Sequence, residues 1–253
     1  MDGHQYLASV LKKYEIDEQS ISDLRNKRSY VELLLKQHYG SLIESIRYSG
    51  SYIKGTAINI HYDLDICVFF NHDSFGSLKD MFDNLGVFLR SNFALVSMQR
   101  VSWSIKFEDG VSVDVVPVRS LGDKSGDAYL YNSKNGTYTK TNIIKQIEYV
   151  KSSDVRPIIK LLKVWKYEWK VDIKSFVLEL LAIKALEYPS GHYDVDFITV
   201  LKYIRDNIES VRLVDPANSS NVVSDLLSPS DKLTIKLITG VSLSNGTWNR
   251  IIS

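Results

Sequence analysis

The sequence predicts an α+β chain in two lobes: a mixed sheet with helices over residues 1–140, and an all-helical lobe over 141–253. Three observations lead there. Runs dense in β-branched and aromatic residues fall almost entirely before residue 120, at 46–49, 65–70 and in three segments between 93 and 118. From about residue 141 onward the apolar residues recur at helical spacing. Between the two patterns, 121–141 (LGDKSGDAYLYNSKNGTYTKT) is polar and rich in Gly, Ser, Asn and Lys, the composition of a mobile joint.

Each element has its own local warrant. Over residues 4–45, Val31, Leu34, Leu35 and Tyr39 share a helical face, so the N-terminus reads as one or two amphipathic helices. A short strand at 46–49 is bounded by Gly50, and 65–70 (DICVFF) is a run of β-formers. Residues 78–90 read as a crossover helix with Ser77 as N-cap. The segments FALVSMQR, WSIKF and VSVDVVPV follow as strands, and Glu108-Asp109-Gly110 suits an antiparallel turn between two of them. Helices are expected at 141–153, 157–169, 173–187, 195–208 and about 230–239, with one short strand near 211–214. In the second of these helices Pro157 suits the first turn, and Ile158, Ile159, Leu161, Leu162 and Trp165 form the buried stripe.

Composition narrows the class. The 253 residues carry 31 Lys+Arg against 30 Asp+Glu, which excludes a dominantly basic nucleic-acid coat. With 44% hydrophobic residues, disorder across most of the chain is excluded too. The single cysteine, Cys67, rules out an intramolecular disulfide or a cysteine zinc ribbon, and a reducing cytoplasm is the expected compartment. No segment approaches the roughly 20 apolar residues of a spanning helix, so no membrane partner is expected. The sequons at Asn135, Asn218 and Asn245 carry no weight without a secretory route.

The first chemical signal is Asp63-Leu64-Asp65 at the mouth of an apolar strand. Side chains two apart on a strand share a face, and two carboxylates so close repel unless a cation neutralises them. Mg²⁺ is held by such carboxylates together with substrate phosphates. A solvated turn before a strand would explain an isolated pair equally well. The second signal is Asp114 inside VSVDVVPV, where a carboxylate is costly to bury alone. A structural ion pair or an edge position would satisfy it, as would a metal. If an adjacent strand sets it beside Asp63 and Asp65, three acids can hold two ions about 3.5–4 Å apart, the arrangement for in-line displacement at phosphorus.

Upstream lies Gly50-Ser51-Tyr52-Ile53-Lys54-Gly55-Thr56-Ala57, following a strand and opening a helix. Glycine lets a phosphate approach the backbone, and the serine hydroxyl donates to it. Neither G-x-x-x-x-G-K-[ST] nor G-x-G-x-x-G occurs in the chain, so P-loop and Rossmann sites are excluded. A lone Gly-Ser is also an ordinary turn.

Taken together, GSYIKGTAI, DLDI and VDVVP resemble the nucleotidyltransferase core of the DNA polymerase β superfamily. The Lys-Gly-Thr-Ala variant is similar to the branch that holds the bacterial cGAS/DncV-like nucleotidyltransferases (CD-NTases), the oligoadenylate synthetases and the archaeal CCA-adding enzymes. The resemblance implies a polymerase β-like catalytic lobe followed by an oligoadenylate synthetase-like helical nucleotide-binding lobe. It implies that Gly50 and Ser51 hold the donor triphosphate, and that Asp63, Asp65 and Asp114 bind two Mg²⁺ ions, with Mn²⁺ as the alternative.

Further resemblance lies downstream. RPIIKLLKVWK followed by Lys174-Ser175-Phe176 looks like the synthetase lysine helix and its Ser-aromatic pair. It implies that Lys163 and Ser175 contact the donor phosphates and that Phe176 is a platform for the base. Without the resemblance, Lys160, Lys163, Lys166 and Lys170 read as a solvated basic face, and Phe176 as core. Asp215-Pro216-Ala217-Asn218-Ser219-Ser220-Asn221-Val222 resembles DP-x-x-P-x-N-V-A with Ser in place of the second Pro. It reads as architecture: a turn around Pro216 leading into a capped helix. Cys67 reads as a small buried hydrophobe behind the acids, His61 as a loop histidine, and Arg25-Asn26-Lys27-Arg28 as a solvated helix face rather than an RNA patch.

The expected function is metal-dependent joining of nucleoside triphosphates into a cyclic or short linear oligonucleotide messenger, with pyrophosphate released, in bacterial antiphage signalling. ATP is the expected nucleotide, with GTP or others open, and a bacterial regulatory protein is the expected controlling partner. The alternatives are nucleotide addition to an RNA 3′ end, small-molecule adenylyl transfer, and nucleotide binding without turnover. Charge balance, and a chain ending soon after the DP segment, favour the messenger over RNA.

Overall fold

The structure is a computed structural model that describes residues 2–60, 63–123 and 125–253. It divides into two compact units, one made of Ile16–Gly55 and His61–Ile147, the other of Met1–Glu15, Thr56–Ile60 and Glu148–Ser253. Relative to a boundary at 140/141, the first fifteen residues and the 56–60 segment belong with the helices, and 141–147 with the sheet.

Two helices open the chain, α1 (Gly3–Lys13) and α2 (Glu18–Tyr39), each with an aspartate N-cap: Asp2 accepts from Gln5 N and Asp17 from Ser20 N. After α2 the sheet unit runs β1 (Ile43–Ser49), α3 (Gly50–Lys54), β2 (Leu64–Phe70), α4 (Leu78–Asn92), β3 (Val96–Met98), β4 (Trp103–Lys106), β5 (Ser112–Ser120), β6 (Ala128–Asn132) and β7 (Thr137–Thr141). Ser77 caps α4, its side chain accepting from Asp80 N, as the sequence predicts. The strands form one sheet in the order β1-β2-β5-β4-β3, with β6 added to the far half of β5 and β7 to β6. Among the described residues of this sheet β2 and β5 pair in parallel and the other ladders are antiparallel.

Strand alternation places the core. Leu64, Ile66, Val68 and Phe70 of β2, with Val113 and Val115 of β5, pack under Leu24, Val31 and Leu35 of α2 and Met81, Phe82, Leu85 and Leu89 of α4. Each such side chain contributes about 1.5–3 kcal/mol by leaving water. The opposite parity, Asp65, Cys67 and Phe69, turns to the other face. There Cys67 is fully buried beside Phe69 and Val118, and burial pushes its thiol well above the usual range, in line with an inert packing residue.

Three expectations need correction. The 121–141 stretch is not a loop throughout: residues 128–132 and 137–141 are the β6–β7 hairpin, anchored on β5 through Val118↔Leu130 and Ser120↔Ala128. Its Tyr and Thr residues have high β-propensity, which bulk polarity conceals. The basic cluster on α2 is a solvated face only in part: Arg25 and Asn26 are exposed, whereas the two residues after them are engaged. Lys27 pairs with Asp109 and Arg28 with Glu32, both cationic side chains being less than a fifth exposed, while the Arg28 guanidinium lies 3.7 Å over the Tyr48 ring. The turn at Pro216 leads into a strand, described below, not a helix.

Helix α5 (Ile143–Lys151) crosses the division between the units. The helical unit continues with α6 (Arg156–Glu168), α7 (Ser175–Ala185), α8 (Tyr193–Asn207), the hairpin β8 (Val214–Asp215) and β9 (Asn218–Val222), then α9 (Pro229–Ser244) and α10 (Trp248–Ile251). The predicted stripe of α6 is buried, and Trp165 at its centre donates from Nε1 to Ser242 Oγ at 2.9 Å. The DP segment is architectural: Asp215, itself buried, accepts from Ala217 N at 2.8 Å and from Asn221 Nδ2 at 3.0 Å. These bonds fix the β8–β9 turn and account for the Asp and Asn of the motif. No helix of the described residues is long and apolar enough to cross a membrane.

Candidate active site

Register places the acids. Asp65 of β2 lies opposite Asp114 of β5 in the parallel ladder and opposite Ser49 of β1 in the antiparallel one, while Asp114 lies opposite Ser104 of β4. Paired residues point to the same face, so Ser49, Asp65, Asp114 and Ser104 form one row across four strands. Asp63 precedes β2 and stands two residues before Asp65, in phase with it. All three acids are half-buried. Adjacent strands lie about 4.8 Å apart, so the Asp65 and Asp114 charges repel strongly unless a cation lies between them.

The cradle approaches the same row. β1 ends at Ser49 and the chain turns directly into α3, with Gly50 at φ +69°. A Cβ built on Gly50 would lie 1.6 Å from Asp65 Oδ2, so only glycine brings this backbone against the carboxylate. Ser51 follows on α3. Ser49 Oγ is buried with no hydrogen-bond partner among the described residues, in register with Asp65. An orphaned hydroxyl beside two carboxylates, with a backbone that admits no side chain, fits a hard cation and the phosphates it carries, because every donor is oxygen. His61 and Tyr62 lie outside the described residues.

On the helical unit, Lys163 of α6 is buried, at 6% exposure, as is Glu179 of α7 at 2%. The Lys163 ammonium donates to Thr56 O and Oγ1, each at 3.0 Å, and to Glu179 Oε1 at 3.3 Å, while Thr56 Oγ1 donates to the same carboxylate at 3.2 Å. Lys163 therefore does not share a solvated face with Lys170, which is exposed. Ser175 is the first residue of α7, whose N-cap Lys174 makes no side-chain capping bond. Phe176 packs partly buried against the helical core. Burial, and next the Lys174 charge, hold the Lys166 ammonium below the usual lysine range, with the Asp172 carboxylate acting in the opposite direction. Ser49, Ser104 and Glu179 had no signal in the sequence, and Thr56 entered only through the Lys-Gly-Thr-Ala spelling, since strand register and a buried ion pair are not spelled in any local motif.

The model of the family described as the Second Messenger Oligonucleotide or Dinucleotide Synthetase domain matches residues 1–153. The chain belongs to this family. It is a nucleotidyltransferase that synthesises an oligonucleotide second messenger, and the family separates it from the RNA-end and small-molecule alternatives. A cyclic AMP-AMP-AMP synthase of Escherichia coli (strain MS 115-1) is 25% identical over 248 residues, covering 82% of this chain and 76% of its own length. The fold is similar to E. coli MS115-1 CdnC solved with ATP, with a TM-score of 0.79, 21% identity, and coverage of 98% of this chain and 94% of that one. A CdnC:HORMA-deltaN complex from the same strain gives a TM-score of 0.76 at 21% identity, over 98% and 94% of the two chains.

For this synthetase the Gly50 geometry predicts a sharp intolerance. Gly50→Ala forces an alanine to φ +69°, which costs about 1–2 kcal/mol, and drives a methyl into Asp65. We expect turnover to fall at least about tenfold with a lowered Tm. Initial rates and thermal melts of the variant check it; wild-type turnover would show that the backbone need not approach the carboxylate.

Proposed function

We propose that the chain joins ATP molecules into a cyclic oligoadenylate messenger, releasing pyrophosphate, and acts in the cytoplasm in antiphage signalling. One observation carries the catalytic assignment: Asp65 and Asp114 are register partners beside a Gly50 backbone that touches the Asp65 carboxylate. Asp63, Asp65 and Asp114 would hold two Mg²⁺ ions, or Mn²⁺. Bound there, such ions lower the pKa of an attacking hydroxyl and offset the charge of the leaving pyrophosphate. Asp114 also accepts the proton of the attacking hydroxyl. Gly50 and Ser51 orient the donor phosphates, the first by leaving room for them and the second by donating its hydroxyl.

On the helical unit, Ser175 at the start of α7 and the Lys166 and Lys174 ammonium groups suit the donor phosphates, and the Phe176 ring suits a base, since any base stacks on an aromatic face. Lys163 belongs to the same set by resemblance; it contacts a phosphate once it releases Thr56 or Glu179. Adenine is the base named for the cyclic AMP-AMP-AMP synthase, and ATP is the nucleotide in the CdnC structure. The CdnC complex supports a HORMA-type protein as the regulatory partner.

The test incubates purified protein with each labelled nucleoside triphosphate and Mg²⁺ or Mn²⁺, with and without tRNA and with and without a HORMA-type partner. Phosphatase-resistant labelled products made from ATP are expected. Label found only in RNA would overturn the messenger reading, and small products made without ATP would overturn the adenine assignment.

A further inference from the structure

We propose a second metal site on the helical unit, made of residues other than the three acids: a zinc-type ion held by His4, His192 and Asp194. His4 lies in the first turn of α1, His192 is the N-cap of α8, and Asp194 lies in the first turn of α8. One ligand atom from each residue lies within 4.8 Å of the other two. Two imidazoles and a carboxylate are the ligand set of open tetrahedral zinc sites, with water in the fourth position, and imidazole selects borderline transition metals over Mg²⁺.

A second observation points to the same ion. Asp194 Oδ1 is buried and has no hydrogen-bond partner among the described residues. A charged acceptor left in that state is costly, and a bound ion is one of the few arrangements that accounts for it. The surroundings hold the ligands in place. The His4 ring stacks on Tyr193 at 4.6 Å between centroids, and the His192 ring stands edge-on to it at 5.5 Å. A Cβ on Gly3 would come within 2.8 Å of Asp194 Cβ and 2.7 Å of Trp248 Nε1, so glycine lets the start of α1 press onto Asp194.

Metal binding competes with one existing bond. His4 Nδ1 accepts from Tyr193 N at 3.0 Å and caps α8, whose own N-cap side chain makes no capping bond. Coordination through that nitrogen replaces the bond and leaves the Tyr193 N–H to water. The positive end of the α8 dipole also opposes a cation, so the Asp194 charge and the two imidazoles must outweigh it. The site is therefore one of modest affinity whose effect is to tie α1 to α8.

The experiment uses the full chain without an affinity tag, stripped with EDTA and titrated with Zn²⁺ in excess Mg²⁺ by calorimetry and thermal melting. Co²⁺ absorption reports imidazole ligation. The variants are His192→Ala, Asp194→Asn, and a combined Asp65→Asn, Asp114→Asn chain that removes the facing acid pair. We expect about one zinc per chain, retained when that pair is removed, and weakened at least about tenfold by His192→Ala and by Asp194→Asn. Zinc should raise the Tm of the unaltered chain but not of those two variants. Because the His192 side chain is exposed, His192→Ala should melt as the unaltered chain does in EDTA. No zinc uptake, uptake lost with the acid pair, or uptake indifferent to His192 and Asp194 would each overturn the site.

Discussion

Asp65→Asn is expected to lower turnover by at least about a thousandfold, roughly 4 kcal/mol of transition-state stabilisation, while leaving the fold intact. Asp65 is the hub of the row: it faces Asp114 across one ladder and Ser49 across the other, and the Gly50 backbone touches its carboxylate. Asparagine keeps the shape and removes the charge, so the loss falls on the chemistry rather than on packing. Thermal stability supplies the control. With divalent ions chelated, the variant should still unfold in one cooperative transition, because asparagine keeps the shape of the side chain. Asp114→Asn should behave alike. Turnover close to wild type in either variant would remove the acids from catalysis.

Lys163→Met is expected to destabilise the helical unit by about 3–5 kcal/mol, measured by urea unfolding. The buried Glu179 carboxylate would lose the Lys163 ammonium 3.3 Å from it, and Thr56 O would lose the donor it now has at 3.0 Å. The double variant Lys163→Met, Glu179→Leu should recover most of the loss, because an apolar pair of similar volume tolerates burial. It should not recover all of it, since Thr56 O stays without the ammonium, worth about 1–3 kcal/mol. If Lys163→Met unfolds like the parent chain, the buried pair does not contribute to stability. If it instead loses turnover alone, the lysine is spent on substrate.

The row of acids was legible to the degree that it is local. Asp63 and Asp65 lie two apart on an apolar strand, Asp114 interrupts a hydrophobic run, and Gly50-Ser51 ends a strand; each is a contradiction in its own short context. The helical stripe of α6 and the Ser77 cap of α4 were legible for the same reason, since periodicity and capping act within a few residues. The β6–β7 hairpin was not, because its tyrosines and threonines sit in polar surroundings and find their reason only in β5. Nor does a basic stretch on a helix reveal that Arg28 meets Glu32 and lies over the Tyr48 ring.

The sequence by itself determined which residues carry charge, where backbone freedom is required and what periodicity each segment has, and these suffice to expect a sheet followed by helices and to single out the three acids. Tertiary structure alone decided that Asp65 and Asp114 are neighbours, that Lys163 meets Thr56 and Glu179 across 107 and 16 residues of chain, and that His4 reaches Tyr193. The physical reason is range. Propensity, capping and strand parity are set by neighbours a few residues away, whereas ladder register and buried ion pairs follow from which apolar surfaces close over one another.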